Sequence, residues 1–421
     1  MKLLLKQTLI ANPGAKHHLK VKDVLISDGI IEDIADELNI PDARLIQLEG
    51  LTISPGWIDT FAHFNDPGFE FKETIETGAE AAAAGGFTHV FVIPNTSPVI
   101  ANKGQVEYIV QKGRDLVAHV LPLGAVTKNA EGKELAEMYD MRNSGAIAFS
   151  DGTYPVQTPG LLLKALQYVK AFNGIIIQLP VDQSIGGQGL INEGITSTQL
   201  GLPGIPAIAE ELMIARDVAL AKYTGSRLHI SGISTQKSIE MITSAKAEGV
   251  HITCSVTPYH LYFCDEDLHD YDTNLKVNSP LRSRNDMLAL REAVANAQVD
   301  CIATHHLPQD WDNKTCEFEY AKNGMIGLES TFSVFNSLFP DLPVEQLLAL
   351  FTSKARTIFG LQQVKVEAGE KADLTLFTRG DHFTFARANV KSKSVNSPFI
   401  GRQLKGRVIG IINKERVYLN D

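Results

Sequence analysis

The stretch PGWIDTFAHFNDPG, residues 55–68, decides how this chain is read. It finishes a strand assigned to Ile53–His63, and behind it short apolar or β-branched runs alternate with amphipathic stretches of helical length as far as about residue 340. Further strands are read at Thr88–Pro94, Ala118–Val126, Ala146–Asp151, Gly174–Leu179, Arg227–Ser231, His251–Val256 and Asp300–His305. Helices are predicted at Glu73–Ala84, Ile208–Tyr223 and Asn285–Ala297, and the alanine-rich GAEAAAAGGF (78–87) predicts a helix packed closely on the sheet and ended by Gly85 or Gly86. Eight βα units imply closure, so the fold class is α/β, a (β/α)8 TIM barrel.

The two ends of the chain read differently. Runs such as DVLISDGIIEDIA, ADLTLF and RVIGIINKERVYL alternate with period two and carry almost no helical periodicity, which predicts antiparallel strands. One small β-sandwich domain built from both termini, residues 1–52 and 365–421, is the economical arrangement around a barrel at 53–364. Asp182–Gly204, rich in Gly, Ser and Thr, is too long for an ordinary connection and predicts a lid or partner-binding loop on the functional face.

Composition excludes several classes. With 44% hydrophobic and 21% charged residues, the 421-residue chain has the profile of a folded globular protein. A net charge of −10 without a basic cluster argues against nucleic acid, and the absence of a long apolar run argues against signal peptide or membrane span, leaving a cytoplasmic expectation. Cys254, Cys264, Cys301 and Cys316 lack C-x-x-C spacing and are read as buried reduced thiols. The acidic CDEDLHDYD (264–272) lacks the glycine and glutamate of a calcium loop and is read as a solvated loop. Asp59 and Asp151 are read as structural hydrogen-bonding acids rather than an acid and base pair.

Residues 55–68 resemble class I dihydroorotases, whose corresponding stretch is PG-[FL]-ID-x-H-x-H-x-R-x-PG. The resemblance continues in the family's order through IPNTSP (93–98), GAIAFSDG (145–152), INEGITSTQLGLPGIPAIAEE (191–211), CSVTPYHL (254–261), LKVNSPLR (275–282), IGLES (326–330), ADLTLF (372–377) and VKSKSVNSPFIGRQLKGRV (390–408). It implies the barrel-plus-sandwich fold and a pair of zinc ions that open or close a cyclic amide, interconverting carbamoyl aspartate and dihydroorotate. The metals activate a bridging hydroxide and polarise the carbonyl.

Carried over position by position, the resemblance departs at the ligands. The H-x-H pair reads Phe61, Ala62, His63, and the carboxylate-gripping arginine is Asn65. Gly152 stands where bacterial members have the bridging aspartate, one place after Asp151; the strand-five histidine is Gln178. In HISGIST, His229 matches the first family histidine but the ligand position is Gly232; in THHLPQ the proton-shuttling aspartate is His305 and the last substrate-contacting histidine is Gln309. Among the ligand positions only His63 keeps its residue type, and glycine and phenylalanine have no side-chain lone pair to offer. Asn65, Asn95 and Asn278 are then a vestigial substrate site, and His63, with His305, a vestigial metal site.

No cofactor is expected on this reading. The resemblance implies a non-catalytic, dihydroorotase-like protein of pyrimidine biosynthesis, since some bacteria pair inactive chains of this type with aspartate carbamoyltransferase. It also implies a homo-oligomer. The alternative is an active cyclic-amide hydrolase holding zinc through His63, His305 and His260. Against it, Phe61 shares a strand face with His63, and alternation lets only one of His305 and His306 point inward.

Overall fold

The computed structural model describes residues 2–420. Eight parallel strands make the inner sheet: β1 (Trp57–Ala62), β2 (Phe87–Val92), β3 (His119–Gly124), β4 (Ala148–Phe149), β5 (Ile175–Gln178), β6 (Arg227–Ile230), β7 (Ile252–Val256) and β8 (Cys301–Ile302). They pair in chain order. Past the end of β8, His306 bridges to Ala62 and its carbonyl accepts the His63 N–H at 2.8 Å, which brings the last strand back to the first. This is the predicted (β/α)8 barrel.

The strands are buried along most of their length because each is covered on two sides. β5, Ile-Ile-Ile-Gln, is buried at every residue. Ile58, Phe91, Leu123, Ile177 and Phe359 fill the barrel interior, while a larger cluster fills the space between strands and outer helices. The alanine-rich helix spans Ile75–Ala84; Thr74 caps it by accepting the Thr77 N–H, and Gly85 ends it. The other predicted helices occupy Ile208–Thr224 and Arg284–Ala295.

Both termini enter one eight-stranded sheet. Lys2–Ile10, Lys20–Ser27, Ile30–Ala35, Arg44–Gln47 and Thr52–Pro55 come from the front of the chain, and Asp373–Thr384, Gln403–Asn413 and Arg416–Leu419 from the back. An isolated bridge from Ile30 to Lys371 folds the sheet back on itself around Leu5, Val24, Ile31, Ile53, Leu374 and Ile412. The expectation of purely antiparallel pairing is corrected here: Lys2–Ile10 runs parallel to Arg44–Gln47 and Thr52–Pro55. Alternation along a strand reports which face is buried, not the direction of its neighbour.

A second correction concerns the opening strand. Ile53–His63 is two strands: Thr52–Pro55 pairs with Asp373–Thr384 in the terminal sheet, and Trp57–Ala62 starts the barrel. The break is at Gly56, where an added Cβ would lie 2.0 Å from Asp373 Oδ1 and 2.1 Å from Thr88 Oγ1. The Gly56 carbonyl accepts from Thr352 Oγ1 at 2.9 Å and Arg356 Nη2 at 3.0 Å, and that guanidinium also pairs with Asp373 at 2.9 Å. Next in line, Trp57 is fully buried among Phe332, Phe351 and Phe377, and its indole N–H donates to Ser54. The sheet and the barrel thus share one packed, hydrogen-bonded seam.

The long connection after β5 is not irregular. It contains helices Gln183–Gly186 and Ile195–Leu200 and a strand pair, Ile191–Asn192 with Gly204–Ile205. Asn192 donates to Asp265 at 2.7 Å and accepts from Arg282 at 3.1 Å. Asp265 is therefore buried, unlike the exposed Glu266, Asp267 and Asp270 around it, so the acidic stretch is solvated only in part. Cys254, Cys264 and Cys301 are buried and Cys316 is half-buried; all four are free thiols. No helix among the described residues is long and apolar enough to cross a membrane.

Gly56→Ala forces a side chain into a space already filled by Asp373 and Thr88, and is expected to cost about 1–3 kcal/mol of stability. Urea unfolding measures it, and an unchanged midpoint would contradict the close approach at the seam.

Candidate functional site

Barrel chemistry is built at the C-terminal ends of the strands, and the ligand and substrate positions carried over from the family lie there. Phe61 and His63 end β1, Asn95 follows β2, Gly152 follows β4 and Gln178 ends β5. Gly232 follows β6, His260 and Asn278 follow β7, and His305 follows β8. Phe61, His63, Asn278, His305 and His306 line one cavity with Leu179, Tyr259 and Met325. Its volume is only about 20 Å³, room for about one water.

The mouth is small because the protein fills it. The His305 ring stacks on Phe61 with centroids 4.4 Å apart and planes 27° apart, and its Nε2 is hydrogen-bonded to Ser231 Oγ at 2.9 Å. It lies where a side chain of residue 232 would begin: a Cβ on Gly232 would be 2.4 Å from His305 Cε1. Gly152 repeats the arrangement, with Asn95 Oδ1 1.7 Å from the place of a Cβ. The Asn95 carboxamide donates to the Asp151 carbonyl at 3.0 Å and accepts the Thr153 N–H at 3.0 Å, so both of its ends are engaged. Gly152 and Gly232 also have φ of +61° and +73°, a region that favours glycine.

Burial keeps three histidines of the mouth neutral. Burial pushes His63 and His260 down to about 4 and His305 to about 3. His63 Nε2 donates to the Asn95 carbonyl at 2.8 Å, and its buried Nδ1 has no partner. His260 donates from Nε2 to the Ser279 and Pro280 carbonyls, each at 3.2 Å, and accepts from Thr257 at Nδ1. His229 points into the barrel beside Phe359 and is bonded to Thr253 at 2.8 Å.

Carboxylates are held away from the mouth's centre. Asp59 accepts from the Thr304 N–H and hydroxyl at 2.7 and 2.8 Å, and Asp151 accepts from those of Thr127 at 2.9 and 2.5 Å. Burial raises both to about 6 despite these bonds. Gln178 turns to Val156, donating to its carbonyl at 3.1 Å. Asn65 is buried, with its amide nitrogen unpartnered. Gln309 accepts from Lys72 at 2.9 Å and donates to the Asn323 carbonyl at 2.8 Å.

His305 and His306 both line the cavity, contrary to strict alternation. Regular β8 stops at Ile302, and His305 has φ of +47°, so the period-two rule no longer holds there. His306 accepts the Gly327 N–H at Nδ1 and sets Nε2 3.5 Å from the buried Glu73 carboxylate. Burial opposes charge on Glu73, but His306 and the Ser392 and Thr77 hydroxyls hold it below its ordinary range. Ser231, Glu73 and the role of Asn95 as a filler escaped the sequence reading. The serine directly before Gly232 was the available signal.

These donors do not fit a binuclear metal centre. His63 Nδ1 is free, but His260 is committed at both nitrogens, His305 Nε2 is bonded to Ser231, and no carboxylate joins them. Among the described residues, no three His, Cys, Asp or Glu side chains are grouped to hold a metal ion.

The architecture matches solved structures along its whole length. An L-hydantoinase (dihydropyrimidinase) from Arthrobacter aurescens superimposes with a TM-score of 0.86 at 22% identity, covering 99% of this chain and 95% of that one. A dihydropyrimidinase from Brevibacillus agri gives 0.84 at 19%, over 100% and 95%. The chain therefore shares the fold of these two proteins. A profile described as Dihydro-orotase-like matches residues 50–238. Proteins named dihydroorotase from Syntrophus aciditrophicus and Pelotomaculum thermopropionicum are 40% and 41% identical, over 99% and 100% of this chain and 99% of each relative. The chain belongs to the dihydroorotase-like family.

A neutral, buried His305 carries a pH signature. Its folded pKa of about 3 is below the ordinary 6.5, so as pH falls through 6.5 the unfolded chain takes up a proton that the folded chain refuses, and stability falls. His305→Phe removes that contribution and is expected to reduce the stability lost between pH 7.5 and 5 by about 2 kcal/mol. Denaturant titrations at the two pH values measure it; equal losses in both proteins would show that His305 is charged or solvated.

Proposed function

We propose that this chain is a dihydroorotase-like protein of pyrimidine biosynthesis that has given up catalysis and serves as a non-catalytic subunit supporting aspartate carbamoyltransferase. The dihydroorotase names of its relatives support the pathway. The observation that carries the loss of catalysis is the self-filled mouth: the His305 ring and the Asn95 amide lie where side chains of residues 232 and 152 would start. Opening a cyclic amide by the family's chemistry needs a metal-activated hydroxide and a polarised carbonyl. The remaining donors supply neither, and a cavity of about 20 Å³ has no room for a ring substrate. The carbamoyltransferase, like a homo-oligomeric state, rests on family analogy.

What remains usable is the surface. The barrel holds its loops rigidly, as the bonds among Asn192, Asp265 and Arg282 illustrate, and such loops present a fixed face to a partner. The unpartnered Nδ1 of His63 favours the other reading, an active hydrolase with a rearranged metal site, and one experiment separates the two.

Assayed with dihydroorotate and added zinc, the purified chain is expected to give no turnover above buffer. The carbamoyltransferase of the same cell is expected to co-purify with it and to lose activity or stability without it. Zinc-dependent turnover would overturn the non-catalytic reading. A carbamoyltransferase indifferent to the chain would remove the partner.

A further inference from the structure

The helix Ile208–Thr224 lies on the outside of the barrel, between the helices Pro159–Lys170 and Gln236–Ala247. Its inner face buries Ala209, Met213, Ile214 and Ala221. The outer face of such a helix is ordinarily polar, and both neighbours obey: Lys164, Gln167 and Lys170 are exposed on one, and Gln236, Lys237, Glu240 and Ser244 on the other. On Ile208–Thr224 the exposed residues are instead Ile208, Leu212, Ala215, Ala219, Lys222 and Tyr223, only one of them charged. Ile208 is 44% exposed, Leu212 50% and Tyr223 77%, so this row is open to water and is no part of the core.

Steps of four, three and four lead from Ile208 to Ala219, the alternation by which one helix lies along another, and Tyr223 extends the row by a further turn. Bulky side chains stand at both ends of the row and the two alanines between them. The charges beside it are uneven as well. Glu211, near the start of the helix, enters no ion pair among the described residues, although its neighbour Glu210 lies 3.8 Å from Arg282. Burial and the like charges of Glu210 and Asp286 push the Glu211 carboxyl above its ordinary pKa. Lys222, near the other end, pairs only with Glu248, at 2.7 Å across exposed surface, a kind of contact that contributes little. A row with bulk at its ends, alanines inside, an acid at one end and a base at the other is complementary to itself when reversed.

We propose that this helix is a homodimer contact, in which two copies of the chain pair through Ile208–Thr224, antiparallel about a two-fold axis between Ala215 and Ala219. The alanines let the helices approach. Leu212 packs over Ala219 of the second copy, Ile208 lies against its Tyr223, and Glu211 of each copy gains Lys222 of the other. Two-fold symmetry makes each of these contacts twice. The helix is about 25 Å long, so with its flanks the contact falls at the small end of stable interfaces, about 1,200 Å², and dissociation on dilution is expected. Such a dimer is independent of whether the chain is catalytic.

Sedimentation equilibrium of the full chain across the micromolar range tests the contact, and a monomer–dimer equilibrium is expected. Leu212→Glu sets a carboxylate against the apolar row in both copies and is expected to raise the dimer Kd by about tenfold or more, with the far-UV circular dichroism unchanged. Glu211→Lys and Lys222→Glu are each expected to weaken the dimer and their combination to restore it, because the swapped charges meet again only if the helices are antiparallel. The charge swap carries the test should L212E fail to fold. A chain that stays monomeric throughout, or a dimer that L212E leaves unchanged, would overturn the contact. A double variant no tighter than the single ones would overturn the antiparallel arrangement.

Discussion

The His305 ring where it lies and a side chain at position 232 compete for one place, because a Cβ there would sit 2.4 Å from the ring and the ring would have to move. Everything distinctive about this barrel mouth follows from that exclusion. With glycine at 232, His305 can lie flat on Phe61 and bond to Ser231; with His305 there, the centre of the mouth is closed. Position 152 obeys the same rule with Asn95 as the filler. The departures from the family pattern are thus coupled in space, and each emptied position has a neighbour shaped to fill it. A cavity left open would have cost dispersion contacts on every side.

The packing at the mouth is compatible with a complete scaffold around it. Asp59 and Asp151 tie the ends of β1 and β4 to threonines on adjacent turns, as structural acids do. Glu73 and Glu329 reach across to the C-terminal segment, accepting the N–H groups of Lys393 and of Lys391 and Ser392. At the other end of the barrel the Gly56 seam joins strands from both termini to β1. The departures from the family pattern at the mouth therefore leave the hydrogen-bonded connections between sheet and barrel in place.

Most of this architecture was legible in the sequence. Repeated βα periodicity predicted the barrel, and period-two runs at both ends predicted a small β-sandwich built from both termini, where the structure has one eight-stranded sheet folded back on itself. Finer features escaped for physical reasons. Gly56 divides what reads as one strand, because a continuous apolar run does not reveal which sheet each half joins. Parallel pairing of Lys2–Ile10 leaves no mark on alternation. His305 and His306 escape the period-two rule because the backbone turns left-handed at His305. At the mouth, residue identity marked the positions that depart from the family pattern. It did not reveal what filled their places, because Asn95 and His305 come from other strands.

The central claim is that the mouth is filled by protein rather than waiting for metal. Anomalous X-ray scattering from crystals grown with excess zinc measures this directly. The account predicts no zinc peak within bonding distance of His63 or His305, and the His305 ring stacked on Phe61. A pair of zinc peaks beside His63, with His305 swung off Phe61, would contradict it.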